Sequence, residues 1–228
     1  MSQQSLSAAI AHLRRGGLLI YPTETSYAIG CDATNARAVR AIFRLKGRER
    51  GKSLPLIVAS RAMAERYARL TPLARRLTQR HWPGPLTIVV DSRKSIVESR
   101  FTEQGSLPPT GRGSDSSFRS SRRAKEERGW GKFAPGVLAP NHTIALRVSS
   151  HPIARALSRH LGRPIVSTSA NRSGEPPTRS IAAMHRAFGN DPRLRILDGG
   201  ILPKQKPSTI IDARGRRSVI LRSGCIAV

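Results

Sequence analysis

Residues 46–53 (KGRERGKS) form a loop whose basic side chains have the types and spacing to bind phosphate groups. Lys46, Arg48 and Lys52 follow a helix predicted from about Asn35 to Lys46, so the loop begins at a helix C-terminus. Guanidinium and ammonium groups hold phosphates and neutralise the charge that develops during phosphoryl or adenylyl transfer. The alternative, a solvated basic loop without a ligand, stays open on this stretch alone.

The end of this loop, Gly51-Lys52-Ser53, imitates a nucleotide-binding P-loop. That motif requires a glycine followed by four residues and then Gly-Lys-Ser/Thr, between a strand and a helix. Here Gly47 and Gly51 are separated by only three residues, and Lys46 occupies the place of the first glycine. A helix precedes the loop and a strand follows it, which is the reverse of the required order. The pattern therefore argues against a P-loop.

Polar side chains also follow two predicted strands. Leu18–Tyr21 reads as a buried strand that Pro22 ends, and the hydroxyl-rich stretch 23–27 comes next. A second polar loop, 168–174, follows the predicted strand Ile165–Ser167. Open α/β sheets bind ligands where strands end in such loops, although an ordinary polar turn is the alternative reading.

The elements that position these loops alternate between helix and strand, which predicts an α/β fold in one domain of 228 residues. Short connections between the last strands favour a mixed rather than a purely parallel sheet. Further helices are predicted at about 62–68, 72–80 and 152–161, and around 181–188. Further strands are predicted at 54–58, 86–90, 143–148, 194–197, 209–211 and 219–221, the last two as a hairpin.

The charge of the chain is extreme, with 40 Lys and Arg against 14 Asp and Glu, a net charge of +26. This predicts a strong positive field and polyanionic or phosphorylated ligands. Cys31 and Cys225 are far apart and predict free thiols in a reducing compartment. With no signal-peptide pattern and no apolar run of membrane-spanning length, we expect a soluble cytoplasmic protein.

Residues 93–140 differ from the rest of the chain in composition. Ser, Gly, Pro and Arg dominate the first part, and a basic run follows. Few apolar residues are available to offset the entropy of ordering the segment, so we expect a largely mobile insertion. A lid, an arm that faces tRNA and a neutral expansion are the alternatives for its role.

Six short motifs occur in one order along the chain and together resemble the YrdC-like (TsaC-type) threonylcarbamoyl-AMP synthase family. The resemblance covers roughly residues 5–90 and 140–224. It implies a twisted, mixed, open sheet with helices around a basic cavity, the YrdC/RibB-like fold. The motifs are Tyr21-Pro-Thr-Glu-Thr25, Lys46-x-Arg48, Trp82-Pro-Gly-Pro-Leu-Thr87, Ala145-Leu-Arg-Val148, Ser169-Ala-Asn171 and Ser208-Thr-Ile-Ile-Asp212.

The resemblance also implies a reaction. L-threonine, bicarbonate (or CO2) and ATP give threonylcarbamoyl-AMP and pyrophosphate, for the t6A37 modification of tRNA, with Mg2+ as the partner of the ATP phosphates. Such a step gathers several anions, needs a cationic site and requires no nucleophilic side chain. Other partners that the family admits are tRNA or double-stranded RNA and the proteins of the t6A machinery.

Site residues carry over from the family position by position. The catalytic tetrad would be Lys46, Arg48, Ser169 and Asn171. Threonine would contact Thr25, Arg147, Ser167 and Ser208. ATP would contact Arg48, Lys52, Thr143, Ser169 and Arg222. Any single serine or threonine in this set is more often a turn or cap residue, so the set carries the prediction and not its members.

The sequence departs from the family pattern at Glu49, Pro177 and Ser223, where proline, a serine that reaches ATP and proline are usual. Two other functions remain open at this stage. One is an RNA-binding protein of the same fold without synthase activity. The other is carbamoyl transfer for metalloenzyme maturation, which the absence of the extra domains disfavours. The six histidines have no metal-ligand spacing, so no protein-held metal is predicted.

Overall fold

The computed structural model describes residues 3–48, 53–93, 132–175, 180–189 and 191–228. Helices and strands alternate along these ranges. The helices are α1 (Gln3–Arg14), α2 (Ala36–Lys46), α3 (Arg61–Tyr67), α4 (Pro72–His81), α5 (Pro152–Leu161) and α6 (Ile181–Phe188). The strands are β1 (Leu18–Pro22), β2 (Tyr27–Gly30), β3 (Leu56–Ile57), β4 (Ala68–Arg69), β5 (Leu86–Ser92), β6 (Thr143–Arg147), β7 (Ile165–Val166), β8 (Thr168–Ser169), β9 (Leu194–Ile196), β10 (Thr209–Asp212) and β11 (Val219–Arg222).

The strands form two open, mixed sheets. The smaller sheet has the order β8-β2-β1-β9, with β1 antiparallel to β2 and parallel to β9. The larger sheet has the order β11-β10-β5-β6-β3-β7, and β4 pairs with β5 at one end. The predicted α/β class with a mixed, open sheet is thus confirmed. The strands divide between two sheets, since β1 and β2 pair with each other, with β8 and with β9, and not with the strands of the larger sheet.

The two sheets meet where β2 approaches β7. The Val166 N–H donates to the Cys31 carbonyl at 2.9 Å, and the Tyr21 hydroxyl donates to the Val166 carbonyl at 3.1 Å. A Cβ at Gly30 would lie 1.9 Å from the same carbonyl oxygen, so only glycine allows this approach. The stretch from Tyr21 to Gly30 therefore joins the sheets as well as carrying polar side chains.

Strand β1 is buried on both faces, which explains its unbroken apolar sequence. Leu19 and Tyr21 pack with α1 and α5, whereas Ile20 packs with α6. The larger sheet packs against α2, α3 and α4, with Ile42, Ala74 and Ile88 among its buried residues. The sequence periodicity of the helices thus identifies the faces that cover the sheets.

Most predicted elements are found within one or two residues of their predicted bounds, and α5 matches at both ends. The predicted strand stops at Tyr21, whereas in the structure Pro22 is the last residue of β1 and lies opposite Tyr27. A proline can occupy the end of a strand because it lacks only the N–H that would continue the ladder. No strand was predicted for β2 or β4, and β8 lies in the stretch that was predicted as the polar loop 168–174. Of the predicted insertion, 94–131 lie outside the described residues, while Ala134 and Val137 in its last part are buried in the core.

None of the helices in the described ranges is both long and apolar enough to cross a membrane.

Candidate active site at the junction of the two sheets

Helix α2 delivers Lys46 to the loop that follows β8. Asn35 caps the start of the helix by accepting a hydrogen bond from the Ala38 N–H, and Gly47 ends it in the left-handed conformation. The Lys46 ammonium donates to the Ser169 carbonyl at 2.5 Å, to the Asn171 carbonyl at 2.6 Å and to Asn171 Oδ1 at 3.2 Å. A lysine has three N–H donors, so this set of contacts uses all of them.

The loop that Lys46 holds is also tied internally. The Ser169 hydroxyl donates to Asn171 Oδ1 at 2.5 Å, and the Asn171 amide donates to the Glu175 carbonyl. The backbone N–H of Ser173 donates to the Lys46 carbonyl at 3.0 Å. Three of the four predicted catalytic residues, Lys46, Ser169 and Asn171, are therefore in direct contact.

The fourth member of the predicted tetrad, Arg48, follows the left-handed Gly47. Its guanidinium donates to the Ser53 carbonyl at 3.0 Å, which ties the two described ends of the basic loop together. Residues 49–52 of that loop, including the predicted ATP contact Lys52, lie outside the described residues.

The pKa values of the two basic side chains at the end of α2 are both lowered. Burial, and secondarily the charge of Arg48, lower the pKa of Lys46 to about 8. Burial also lowers the pKa of the Arg48 guanidinium. Removing a charged group from water disfavours its charged form, and a like charge adds to this effect. A bound anion would reverse both effects, which is the behaviour expected of a site that binds phosphate.

Arg147, at the end of β6, forms the second part of the site. Its Nη2 donates to Glu24 Oε2 at 3.1 Å, and both side chains are largely buried, with 9% and 14% exposed. The Ser149 hydroxyl donates to the same carboxylate oxygen, and the Ser150 N–H lies 3.4 Å from Oε1. Glu24 thus fixes the Arg147 guanidinium from one side.

The Arg147 Nε atom is buried and has no hydrogen-bond partner in the described part of the chain. A buried N–H without a partner costs free energy, and such a donor is expected to meet a ligand. Thr25, which follows Glu24 in the sequence, is buried, and its hydroxyl oxygen lies 3.2 Å from the hydroxyl oxygen of Thr23. Thr23 in turn donates to the Ser26 carbonyl, so the turn is held by its own hydroxyls.

The third part of the site joins β10 and β11. Arg222 Nη2 donates to the Ser208 carbonyl at 2.6 Å and to the Ser208 hydroxyl at 2.9 Å. The Thr87 hydroxyl lies 3.1 Å from the Ser208 hydroxyl. Burial, followed by the charge of Arg147, lowers the pKa of Arg222. The charge of Arg147 acts on Arg222, so the ends of β6 and β11 contribute to one cationic region.

Ser167 links this region to the Lys46 loop. Its side chain hydrogen-bonds to Tyr21, whose pKa is raised chiefly by burial and lowered in part by Ser167. Its backbone N–H donates to the Pro55 carbonyl at 2.8 Å. Because Ser167 precedes Ser169 by two residues, the segment from β7 to β8 connects the arginine side of the site with the lysine side.

Thr143 lies at the other end of β6 from Arg147. Arg147 is four positions further along the extended chain, a distance of roughly 13 Å at 3.3 Å per residue. The Thr143 hydroxyl donates to Asn141 Oδ1 at 2.8 Å. The structure therefore does not bring Thr143 together with Arg147, and its predicted contact with ATP stays a prediction. Glu49 and Pro177, two departures from the family pattern, lie outside the described residues.

Sequence reasoning missed two residues of the site, Glu24 and Ser149. Glu24 stands among threonines and serines in a chain poor in acids, which is the signal that could have identified it. Ser149 follows Arg147 by two residues, and side chains two positions apart in an extended chain lie on the same side. The burial of the basic partner was the missing information, since only a buried arginine requires a fixed counter-charge.

No group of three or more His, Cys, Asp or Glu side chains could hold a metal ion within the ranges that the structure describes.

The fold and the site together define an α/β protein with two open, mixed sheets and a cationic site that contains the buried Lys46 and Arg147 and the more exposed Arg48 and Arg222. The Sua5–YciO–YrdC family model, described as "Telomere recombination", matches residues 11–107 and 127–224. The chain belongs to this family. The unmatched residues 108–126 fall within the predicted insertion.

Curated relatives support this membership over nearly the whole chain. A Thiobacillus denitrificans protein named threonylcarbamoyl-AMP synthase is 39% identical over 209 residues, which cover 89% of this chain and 87% of the relative. A Chromohalobacter salexigens protein of the same name is 35% identical over 209 residues, with 91% of each chain covered.

Solved structures agree with the fold. The P. abyssi Sua5 structure complexed with L-threonine superposes with a TM-score of 0.73 at 30% identity, covering 98% of this chain and 55% of Sua5. This chain thus spans about half the length of Sua5. E. coli YciO gives a TM-score of 0.74 at 27% identity, covering 98% of this chain and 90% of YciO.

Proposed function

We propose that this chain is an L-threonylcarbamoyladenylate synthase, a nucleotidyltransferase that makes threonylcarbamoyl-AMP and pyrophosphate from L-threonine, bicarbonate or CO2, and ATP. The product would serve the t6A37 modification of tRNA. The observation that carries the proposal is the buried Arg147 Nε without a described partner, beside the Glu24-Thr25 turn. The names of the relatives support the same activity and give no support to an RNA-binding protein without synthase activity.

The proposed threonine site lies around Arg147. An arginine guanidinium binds a carboxylate through two parallel N–H bonds, and Nε is one of the donors available for this geometry. Glu24 accepts from Nη2 and leaves Nε without a described partner, so the guanidinium is kept in one orientation. Thr25, Ser167 and Ser208 supply hydroxyls for the remaining polar atoms of threonine.

The chemical step would proceed without a nucleophilic side chain. The amine of threonine forms an N–C bond to CO2 and loses a proton, which gives a carbamate. A carbamate oxygen then attacks the α-phosphorus of ATP, and the bond to the leaving pyrophosphate breaks. Positioning and charge neutralisation are the contributions required of the protein.

The ATP phosphates would meet the end of α2 and the 169–171 loop. Arg48, Lys52, Ser169 and Arg222 are the proposed contacts, with Thr143 as a further predicted one. Lys46 has its donors committed to the loop, so we assign it to holding Ser169 and Asn171 in place while adding positive charge. Mg2+ bound to the phosphates would supply further charge neutralisation.

The test is pyrophosphate release from ATP and bicarbonate, measured with and without L-threonine. We expect threonine-dependent release from the wild type, and a fall of at least about 100-fold for Lys46→Ala and Arg147→Ala, as for lost electrostatic catalysts. Arg159→Ala, on the exposed side of α5, is the matched control and should keep full activity. Folded wild-type protein that releases no pyrophosphate in response to threonine would refute the proposal.

A further inference from the structure

A second cavity lies at the opposite end of strands β5 and β10 from the proposed active site. Its volume is about 510 Å3, a size typical of ligand pockets, and it is here named the β4–α4 cavity. The charged side chains in its lining are four arginines and two acids: Arg69, Arg75, Arg93, Arg214, Glu65 and Asp91. The proposed synthase chemistry uses none of these residues.

The direction of the strands explains the position of this cavity. β5 and β10 are parallel neighbours, and Thr87, near the start of β5, contacts Ser208 in the proposed active site. Asp91 is four positions further along β5, roughly 13 Å away at 3.3 Å per residue, and Arg214 follows the end of β10. The cavity therefore lies beyond the carboxyl ends of two parallel strands, which is where open α/β sheets bind ligands.

The pairing of β4 with β5 places an arginine and an acid on one wall of the cavity. Arg69 and Asp91 are directly opposite in this antiparallel pair, so their side chains share one face of the sheet. Within the ranges that the structure describes, Arg69 forms no ion pair and the Asp91 carboxylate accepts no hydrogen bond. Both groups are therefore available to a ligand.

The other charged groups of the lining are only partly committed to one another. Arg75 pairs with Glu65 at 3.7 Å, a long and exposed contact that contributes little. Arg93 donates through Nε to the Glu65 carbonyl at 2.6 Å. Arg214 pairs at 2.6 Å with Asp212, which is not part of the lining. With four arginines, two acids and this outer carboxylate, an excess of one to two positive charges remains.

This excess of charge selects the class of anion. A phosphate monoester carries about 1.5 to 2 negative charges at neutral pH, which matches the excess. A polyphosphate would bring more negative charge next to Glu65 and Asp91, which repel it. The two carboxylates can instead accept hydrogen bonds from hydroxyl or N–H groups of a ligand. Ala68 and Leu70, both buried, also line the cavity and offer apolar surface to the rest of the ligand.

We propose that the β4–α4 cavity binds a small phosphate monoester that carries hydroxyl or N–H donors, such as a sugar phosphate or a nucleoside monophosphate. The phosphate contacts Arg69 and Arg75, because the guanidinium fork matches the geometry of phosphate oxygens. The donor groups of the ligand contact Asp91. This site is separate from the proposed contacts with ATP and threonine.

The experiment measures the binding of inorganic phosphate, ribose 5-phosphate and AMP by isothermal titration calorimetry at low salt. A non-hydrolysable ATP analogue and L-threonine, both saturating, occupy the proposed active site throughout. The test variant is Arg69→Gln/Arg75→Gln. The control variant, Arg66→Gln/Arg76→Gln, removes the same charge from exposed positions of α3 and α4 outside the cavity. Urea unfolding shows whether each variant is folded.

We expect the wild type to bind ribose 5-phosphate and AMP more tightly than inorganic phosphate, because they carry more donor groups for the acids. The test variant should lose at least about tenfold in affinity for both, since charge-assisted hydrogen bonds to the phosphate are removed. The control variant should lose much less. Asp91→Asn should bind inorganic phosphate more tightly than the wild type does, because a like charge is removed from the wall.

The two organic probes distinguish the sources of the phosphate. Tighter binding of AMP would identify a nucleotide site, whereas tighter binding of ribose 5-phosphate would identify a sugar-phosphate site.

Other results would overturn the proposal. Equal losses in the two double variants would mean that net charge and not the cavity attracts the ligands. Binding that is seen only without the ATP analogue would place the ligands in the proposed active site. No saturable binding by the folded wild type, or equal affinities for all three probes, would show that the cavity does not select this class of ligand. Since no turnover is measured, the outcome is independent of whether the proposed synthase activity exists.

Discussion

The Glu24 carboxylate lies beside Arg147, whose guanidinium is the proposed donor to the substrate carboxylate. Its carboxylate pairs with the largely buried Arg147 and accepts a hydrogen bond from Ser149. Glu24→Gln keeps the shape of the side chain but leaves the guanidinium without a counter-charge. We expect it to lower the free energy of unfolding by about 3 kcal/mol, as for broken buried pairs. L-threonine should then raise the melting temperature of the variant more than that of the wild type.

A comparison of L-threonine with threonine amide tests the contribution of the ligand carboxylate. Threonine amide, which lacks it, should give no extra stabilisation of Glu24→Gln. Glu65→Gln is the control, because its pair with Arg75 is 3.7 Å long and exposed, and exposed pairs contribute little. Equal shifts of the wild type and Glu24→Gln with L-threonine would show that Arg147 does not bind the threonine carboxylate.

At the residue scale, the site residues that belong to sequence motifs were predicted, whereas Glu24, the acidic partner of Arg147, was missed. Lys46, Ser169 and Asn171 were predicted together and are in contact. Thr143 was assigned to ATP by resemblance to the family, and that assignment stays a prediction. Glu24 was missed because its importance arises from the burial of a residue 123 positions away. Such long-range facts depend on how strands pair, which local patterns do not determine.

At the element scale, Thr71 connects a helix to the larger sheet. Its hydroxyl accepts the Ala74 N–H at the start of α4 and donates to the Ala213 carbonyl after β10 at 2.7 Å. Ser60 caps α3 by accepting the Met63 N–H at 3.1 Å. We expect Ser60→Ala to cost about 1 kcal/mol of unfolding free energy. Thr71→Ala should cost about 2 kcal/mol, because a second hydrogen bond is lost with the cap.

Urea unfolding of both alanine variants tests this difference. Thr71→Ser, which keeps the hydroxyl, should recover most of the loss. Equal costs for Ser60→Ala and Thr71→Ala would mean that the bond to Ala213 contributes nothing to stability. The measurement therefore separates a local cap from a contact between distant elements.

Helices and strands with a clear periodic spacing of apolar residues were predictable from the sequence. Short strands that form only because a neighbouring strand pairs with them were not. Helices α2 and α5 have apolar spacing and end signals, and their bounds were predicted within one residue. Strands β4 and β8 have only two residues each, and β2 lies inside a polar motif. The separation into two sheets depends on Gly30 and Val166, whose close approach no local pattern reveals.

At the scale of the whole molecule, the net charge of +26 opposes compaction. Salt should therefore stabilise the fold by screening repulsion. The Debye length falls from about 30 Å at 0.01 M to about 8 Å at 0.15 M, so we expect most of the rise in the urea midpoint to occur over that range of NaCl. A rise that continues in proportion to concentration up to about 1 M would indicate a general solvent effect of the salt instead.

The same measurement locates the repulsion within the molecule. Arg37→Gln/Arg40→Gln/Arg44→Gln removes charges that share one side of α2 and line one cavity, whereas Arg66→Gln/Arg76→Gln/Arg216→Gln removes charges from three separate elements. At low salt the first variant should gain more stability than the second, because repulsion rises as charges approach. Its midpoint should also depend less on NaCl. Identical salt curves for the two variants would show that the three arginines of α2 repel one another no more strongly than charges spread over the rest of the surface.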